Sequence, residues 1–376
     1  MKFIDEVPVD ELRGKRVLVR AGLDLPVNER GEVTDSFRVL KALPTLKFLS
    51  QAGAKVIIIS HIGREPSSTN ASVEHALASH IKVTYIPDLC GHLAQSAIAT
   101  MQGGEIILLE NLRQQYDLEK VNDEGFAHSL ASLADIYVND AFSNSHREHA
   151  SMVALPRLLP HYAGLIVRDE VRELSAARAP ISPSIAILGG AKFETKEPLI
   201  KLFLEVYDHV FVAGALADDV FKARGFSVGT SLVSEKLPCA SVLQNPKLIV
   251  PIDVTVERPD KQSHVKKVDE VASDERIVDM GPDSLALIAP LIGQAKFILW
   301  NGPTGFYEHG YGMWTHRTAE LVAQSSARSV IGGGDTIASI TESGTTINGN
   351  TFLSTGGGAM LEYLLEGTLP GIAVLD

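Results

Sequence analysis

The sequence has few cysteines and no long apolar segment. Its 376 residues include two cysteines, Cys90 and Cys239, too few for a disulfide framework or a zinc cluster and typical of a reducing compartment. No apolar run approaches the roughly 20 residues of a membrane span. The first residues, MKFIDEVPVDELRGK, carry acids where a signal peptide has an apolar core. We therefore expect a cytoplasmic protein that has no membrane partner.

Positive charge is also scarce. The chain has 34 basic and 46 acidic residues and a net charge of −12, which argues against a nucleic-acid partner because such binding needs an extended basic surface. The phosphate-binding motif G-x-x-x-x-G-K-[ST], the protein-kinase motifs and the dinucleotide motif G-x-G-x-x-G are absent. These absences weaken the assignment to the commonest nucleotide-binding classes.

Short apolar runs are present throughout and alternate with helical patterns. Runs such as KVIIIS and EIILLEN are apolar on both faces, as in the covered strands of a parallel sheet. Residues 38–53 have helical spacing and end in glycine. The alternation predicts an α/β fold with mainly parallel sheets. A charged helix from Arg168 to Ala179, followed by a Pro/Ser-rich turn, predicts two lobes: residues 1–167 and 184–376, with a connecting helix and hinge at 168–183.

Basic side chains follow the predicted strands of the first lobe. Ligands bind beyond the carboxyl ends of parallel strands, and a cluster of arginines in an acidic protein repels itself unless an anion lies within it. The pattern predicts a small, multiply anionic ligand. His146 and His149 have no third ligand at a recognisable spacing, so a zinc site is not favoured. The predicted anion-binding residues are Arg38, His61, Arg64, Arg113, His146 and Arg147.

Glycine-rich turns follow the strands of the second lobe. They include GGAKFETK with Lys192 and Lys196, VAGALADD, and two glycine triplets at 332–334 and 356–358. A single glycine can simply make a turn, but several turns before helices suit a polyphosphate, because backbone amides and helix N-termini can approach it. Asp335 either binds a magnesium ion on that polyphosphate or, with Thr336, caps its helix. The two lobes together point to phosphoryl transfer.

The motifs resemble those of the phosphoglycerate kinase family from end to end. SHIGREP, ENLR, YVNDAF, SHREHAS, ILGGAKFETK, GTSLVSEK, LWNGPTGFYE, IGGGDT and STGGGAMLEYLLEGTLPGI occur in the family's order. The resemblance implies two Rossmann-like lobes that close on a hinge, with the C-terminal segment packed back on the first lobe. It implies a monomeric glycolytic enzyme that transfers phosphate reversibly from 1,3-bisphosphoglycerate to Mg-ADP, giving 3-phosphoglycerate and ATP.

The resemblance also implies roles for individual residues. Arg38, Lys192, Lys196, Gly334 and Gly357 would act on the transferring phosphoryl group. The phosphoglycerate site would comprise Gly22, Asp24, Arg38, His61, Arg64, Arg113, His146 and Arg147. The nucleotide would be bound by Lys196, Gly214, Asn301, Glu308, Gly333, Gly334, Asp335, Thr336, Ser354 and Thr355, with Asp335 on the magnesium ion.

The sequence departs from the family pattern R-x-D-F-N-V-P after the first strand. Here the stretch is RAGLDLP, with Gly22 at the Asp position and Asp24 at the Asn position. Losing one ligand hydrogen bond costs about 0.5–1.5 kcal/mol, so we expect weakened substrate binding rather than lost activity. Two alternatives stay open: a kinase for a related small acid, and a nucleotide-binding protein without turnover. VAGALADD also replaces a glycine triplet that borders the family's adenine pocket, which predicts altered base contacts.

Overall fold

The computed structural model describes residues 1–28 and 30–376. These residues form two compact α/β units. The first comprises Met1–Arg172 together with Thr368–Asp376, and the second comprises Glu173–Gly367. Each unit contains a six-stranded sheet whose strands pair in parallel. The predicted α/β class with mainly parallel sheets is confirmed.

The first unit contains a parallel sheet with strand order β3-β4-β2-β1-β5-β6. Its central strands are mostly apolar and almost fully buried, as expected for a parallel sheet covered by helices. This order makes β4, β2, β1 and β5 consecutive neighbours, so their carboxyl ends lie side by side. The strands are β1 (Arg16–Ala21), β2 (Lys55–Ile59), β3 (Thr84–Ile86), β4 (Ile106–Leu109), β5 (Ile136–Asp140) and β6 (His161–Ala163).

Helices connect these strands. The helix predicted from Arg38 begins one residue earlier and ends before Gly53, whose positive φ of +78° turns the chain out of the helix. The helices are α1 (Val9–Leu12), α2 (Phe37–Gln51), α3 (Ala71–Ala78), α4 (His92–Thr100), α5 (Tyr116–Lys120) and α6 (Glu124–Ala131). The charged helix α7 (Leu165–Arg178) follows, and the boundary between the two units falls inside it.

The second unit contains a parallel sheet with strand order β15-β14-β13-β7-β8-β9 and a separate antiparallel sheet with order β11-β10-β12. The parallel strands are β7 (Ser184–Leu188), β8 (His209–Val212), β9 (Leu248–Ile249), β13 (Phe297–Asn301), β14 (Arg328–Gly332) and β15 (Thr351–Leu353). The helices are α8 (Phe193–Val206), α9 (Ala215–Ala223), α10 (Ala240–Leu243), α11 (Pro282–Gln294), α12 (Met313–Gln324), α13 (Gly334–Glu342) and α14 (Gly357–Glu366). The last helix, α15 (Pro370–Ala373), belongs to the first unit.

The antiparallel sheet is not predicted by the strand–helix alternation. The run KLIVPIDVTV reads as one strand, but it forms β9 and then β10 (Asp253–Glu257), which lie in different sheets. Pro251 separates them and has no N–H for a sheet hydrogen bond. β10 pairs with β11 (Ser263–Lys267) on one side and β12 (Arg276–Met280) on the other.

The core of the second unit lies between its parallel sheet and the helices that cover it. Ile298, Trp300 and Ile331 from the strands are fully buried with Ile288 of α11 and Val322 of α12. Burying such side chains stabilises the fold by about 1.5–3 kcal/mol each, which fixes the strand ends on which the site is built. In the part of the chain that the structure describes, no helix has the length and apolar character required to cross a bilayer.

Candidate active site

The predicted anion-binding residues of the first unit lie at one edge of its sheet. Gly22 and Asp24 follow β1, and the residues after β2, β4 and β5 come next to them because these four strands are neighbours. Arg38 lies in the first turn of α2. The remaining members of this set are His61 and Arg64 after β2, Arg113 after β4, and His146 and Arg147 after β5.

A chain of hydrogen bonds joins Arg20, His61 and Asp24. Arg20 Nη2 lies 3.1 Å from His61 Nδ1, and arginine can only donate, so Nδ1 is the acceptor and the proton is on Nε2. His61 Nε2 lies 3.4 Å from Asp24 Oδ2. Burial lowers the pKa of His61 to about 4, although Asp24 raises it. His61 is therefore a neutral link with a fixed tautomer near pH 7.

The carboxylate of Asp24 is occupied by neighbours of the same unit. Its Oδ1 accepts a hydrogen bond from the Gly63 N–H at 3.1 Å, and its backbone carbonyl accepts one from Arg38 Nη1. Burial opposes ionisation of Asp24, but the hydrogen bond from His61 and the charge of Arg38 bring its pKa below the ordinary value. Asp24 is thus an ionised carboxylate whose charge is compensated locally.

The space at Gly22 is partly taken by another residue. A Cβ placed on Gly22 would lie 3.2 Å from Ser143 Oγ and 3.5 Å from Ala141 Cα. Ser143 Oγ donates a long, 3.3 Å hydrogen bond to Asn144 Oδ1. A hydroxyl therefore stands next to the position where the family pattern has a carboxylate.

Arg20 is the buried centre of a second group of contacts that sequence reasoning missed. Its Nε donates to Ser151 Oγ at 3.1 Å, and Ser151 Oγ in turn donates to Glu119 Oε1 at 2.5 Å. Glu119 also lies 3.6 Å from His149 Nδ1. Burial opposes the charge on Glu119, but the His149 contact and Arg20 lower its pKa below the ordinary value. This ion network holds Arg20 against His61. In the sequence it is indicated only by Arg20 itself, a charged residue near the end of an apolar strand.

The other basic residues of this edge are partly open. Arg113 donates to the Arg64 carbonyl at 3.3 Å and lies 5.1 Å from the centre of the Tyr116 ring, while its Nε has no partner. His146 Nδ1 also has no partner, and burial lowers the pKa of His146. Unsatisfied polar atoms of this kind call for a ligand or water. Among residues 1–28 and 30–376 the structure has no group of three His, Cys, Asp or Glu side chains placed to hold a metal ion.

In the second unit, the glycines of two turns are required by close backbone packing. A Cβ on Gly189 would lie 1.9 Å from the Pro303 carbonyl oxygen, and one on Gly302 would lie 2.4 Å from the Gly189 carbonyl oxygen. The turns after β7 and β13 therefore touch through their backbones. At these two positions the packing alone explains glycine, without any phosphate.

The two lysines of the turn after β7 have different environments. Lys192 is exposed and precedes α8 in the left-handed conformation, with φ 65° and ψ 70°. This conformation is uncommon for a residue with a side chain and often marks a functional position. Lys196 is largely buried, its Nζ donates to the Gly189 carbonyl at 2.7 Å, and burial lowers its pKa to about 8.

Both glycine triplets open a helix. Gly333, with φ +99°, precedes α13, and Gly356 precedes α14. A Cβ on Gly334 would meet no atom within 4 Å, and one on Gly357 would meet only the Gly333 Cα at 4.0 Å. A side chain at either position would therefore meet open space, and helix N-termini of this kind can bind an anion.

Hydrogen bonds hold the residues around these helix starts. Thr336 Oγ1 accepts from the Gly302 N–H at 2.9 Å, which ties α13 to the turn after β13. Asn301 ends β13 and is buried, with Nδ2 3.9 Å from Met360 Sδ. Ser354 Oγ accepts from the Gly356 N–H at 3.2 Å, and Thr355 follows it before α14.

A cavity of about 260 Å³ lies beside these turns within the second unit. Three of the predicted nucleotide-binding residues, Gly214, Glu308 and Asp335, line it. Gly214 precedes α9 with φ +62°, and Asp335 is exposed in the first turn of α13. Three ionisable residues that the sequence did not single out also line it: Asp218, Arg276 and Asp279.

A model of the family described as "Phosphoglycerate kinase" matches residues 4–368 of the chain. Among curated proteins, the chain is similar to the phosphoglycerate kinase of Wolbachia sp. subsp. Drosophila simulans (strain wRi), with 38% identity over 97% of each chain. It is also similar to that of Salinispora tropica, with 37% identity over 100% of this chain and 99% of the relative.

The fold is similar to those of solved structures under the same name. The phosphoglycerate kinase from Coxiella burnetii has a TM-score of 0.80 and 34% identity, covering 97% of this chain and 96% of that one. The phosphoglycerate kinase from Pyrococcus horikoshii OT3 has a TM-score of 0.86 and 27% identity, covering 100% of this chain and 98% of that one.

Proposed function

This chain belongs to the phosphoglycerate kinase family, and from this premise we propose how its residues carry out the reaction. The protein is a phosphotransferase with a carboxyl group as acceptor. The reaction is the reversible transfer of the acyl phosphate of 1,3-bisphosphoglycerate to ADP, which gives 3-phosphoglycerate and ATP in glycolysis. A kinase for another acid and a binding protein without turnover are not favoured.

The basic edge of the first unit is proposed as the phosphoglycerate site. The observation that carries the proposal is the convergence of its basic residues at the carboxyl ends of four neighbouring strands. Arg38, Arg64, Arg113 and Arg147 would bind phosphate and carboxylate oxygens through charge-assisted hydrogen bonds of about 1.5–3 kcal/mol each. His61 would remain neutral, because its pKa is about 4.

The glycine turns of the second unit are proposed as the nucleotide site. Lys196 would contact a nucleotide phosphate, and the amides at the starts of α13 and α14, including Gly334 and Gly357, would surround the polyphosphate and the group in transfer. Asn301, Thr336, Ser354 and Thr355 would complete this region, and Glu308 would bind the ribose. The support is that a Cβ built on Gly334 or Gly357 would meet open space at these two helix starts.

A magnesium ion fits this site. Asp335 offers an exposed carboxylate at the N-terminus of α13, on the wall of the cavity, and magnesium commonly takes one or two carboxylates together with phosphate oxygens. When bound, the ion would neutralise charge on the phosphates. Asp335 would hold it, while Lys192 and Arg38 would stabilise the charge of the phosphoryl group during transfer.

Donor and acceptor would bind to different units, so the proposal includes closure on a hinge in the region 168–183. We also propose that the protein is a monomer, because both sets of ligand-binding residues come from one chain. Size-exclusion chromatography with light scattering tests this proposal.

We propose a cytoplasmic location because the two cysteines, Cys90 and Cys239, are free thiols.

The test is a coupled assay of ATP consumption with 3-phosphoglycerate and magnesium over a wide substrate range. We expect saturable turnover with 3-phosphoglycerate and none with unphosphorylated or longer acids. The matched variant is Gly22→Asp combined with Ser143→Gly, which makes room for the carboxylate and should lower the KM for 3-phosphoglycerate up to about tenfold. Absence of turnover from folded protein supplied with magnesium would refute the proposal.

A further inference from the structure

One acidic side chain inside the cavity of the second unit has no hydrogen-bond partner. Asp218 lies in α9, is 3% exposed, and its Oδ1 makes no hydrogen bond. The buried residues of the same helix also include the apolar Leu216, Val220 and Phe221. A buried polar atom without a partner costs about 1–3 kcal/mol, and natural proteins rarely keep one without a use.

The surroundings of Asp218 suit a flat aromatic ligand. Phe221, Leu232 and Val254 also line the cavity and give it an apolar part. The same cavity is lined by Gly214, a predicted nucleotide-binding residue, and by Asp335, the proposed magnesium ligand. A nucleotide bound there by its phosphates would have its base available for the apolar part. This step rests on the proposed function.

The protonation state of Asp218 determines which hydrogen-bonding groups of a nucleobase it can pair with. Burial, and then the neighbouring carboxylate of Asp219, raise the pKa of Asp218 well above its ordinary value, and the charge of Arg276 opposes this. Asp219 itself accepts hydrogen bonds from the N–H and hydroxyl of Ser234. Asp279, Tyr307, Glu308 and Asp335 also line the cavity. Burial of Asp218 without a partner for Oδ1 therefore favours its neutral form, which has one O–H donor and one carbonyl acceptor.

Adenine presents the matching pair of groups. Its N1 accepts a hydrogen bond and its 6-amino group donates one, side by side on the Watson–Crick edge. The N1–H and 2-amino groups of guanine donate together and match an ionised carboxylate, which burial disfavours. We propose that Asp218 is a specificity-determining residue that binds the Watson–Crick edge of adenine, donating to N1 and accepting from the 6-amino group.

The experiment measures binding of Mg-ADP and of Mg-1-deaza-ADP, in which a C–H replaces N1, by calorimetry. The wild-type protein should bind 1-deaza-ADP up to about tenfold more weakly than ADP, the effect of one lost hydrogen bond. Asp218→Leu should bind both equally. Asp218→Asn, whose amide has a donor and an acceptor, should keep the preference for ADP. Lys222→Ala changes an exposed residue of the same helix and is the control, which should keep the wild-type ratio.

Three results would overturn the inference. The first is equal affinity of the wild-type protein for ADP and 1-deaza-ADP. This measurement does not depend on the folding of any variant. The second is an unchanged ratio in Asp218→Leu. The third is tighter binding of GDP than of ADP that is lost in Asp218→Leu, which would assign the acid to guanine. If turnover with 3-phosphoglycerate persists in these cases, the proposed function stands. If neither ADP binding nor turnover occurs, both proposals fail.

Discussion

We predict that Lys196 makes nucleotide binding sensitive to pH in a range where lysine is normally fully charged. Burial lowers its pKa to about 8 from the ordinary 10.5. In the free protein the ammonium form then falls from about nine-tenths of molecules at pH 7 to about one-tenth at pH 9. If only the charged form binds the nucleotide phosphate, the affinity for Mg-ADP should fall about tenfold over this interval.

The assay is calorimetric titration of Mg-ADP at pH 7, 8 and 9 at constant ionic strength. Lys196→Arg should bind more weakly overall but with little pH dependence, because a guanidinium stays charged throughout. The Arg variant retains Asp279, whose pKa burial raises to about 7, so any slope from that acid appears in both proteins. Binding of 3-phosphoglycerate is an internal control, because His61, with a pKa of about 4, is already uncharged at pH 7.

Two results would refute this reasoning. The first is an ADP affinity that does not change between pH 7 and 9 in the wild-type protein. The second is a slope that Lys196→Arg preserves, because the titrating group would then be another residue. A slope confined to the wild type would identify the Lys196 ammonium as the charge that binds phosphate.

Three further predictions concern turnover and stability. Lys192→Ala should lower kcat by about 100-fold or more while changing ADP affinity little, because its charge acts mainly on the transition state; steady-state kinetics and calorimetry measure the two effects. Glu119→Gln should lower the free energy of unfolding by about 3 kcal/mol in denaturant titrations, because the buried charge of Arg20 loses its counter-charge. For Asp279→Asn, the free energy of unfolding should increase relative to that of the wild type as the pH rises from 5 to 8. The pKa of Asp279 is raised to about 7 in the fold, so the native state binds the extra proton and the wild type loses stability as pH rises towards 7.

Each of these predictions has its own control and opposing result. Equal losses of kcat and ADP affinity would assign Lys192 to ground-state binding. Glu124→Gln changes an exposed acid of α6 and should leave unfolding unchanged, whereas an unchanged midpoint for Glu119→Gln would contradict the network. Asp274→Asn changes an exposed acid, and its free energy of unfolding should vary with pH in parallel with that of the wild type. If the curve for Asp279→Asn were also parallel, the prediction for Asp279 would be wrong.

The sequence was most informative about the sheet edges. Runs that are apolar on both faces identify buried parallel strands, and the residues that follow them lie at one edge by geometry alone. His61 after β2 and Arg113 after β4 are examples. The antiparallel sheet was missed because β9 and β10 form one apolar run in which Pro251 was the only sign of a break.

Contacts made by single residues were less predictable. The glycine pattern did not separate Gly189, which backbone packing requires, from Gly334, which faces open space. Nor did it indicate that Asp218 is buried, because a helix after a glycine turn can direct a polar residue either to solvent or to a cavity. Those distinctions depend on neighbours that are far away in the sequence, such as Pro303 for Gly189.

The departures at Gly22 and Asp24 are better understood as a changed set of partners than as damage. Arg20 fixes the tautomer of His61 by donating to Nδ1, so His61 Nε2–H needs an acceptor, and the ionised Asp24 supplies one. Suppose that position 24 were an asparagine whose side-chain oxygen accepted from the Gly63 N–H. Its amino group would then point at the His61 Nε2–H, and two donors would face each other. The carboxylate therefore suits this network better than an amide, while Ser143 takes space beside Gly22. Because both changed positions are integrated with their neighbours, we expect weakened substrate binding rather than loss of turnover.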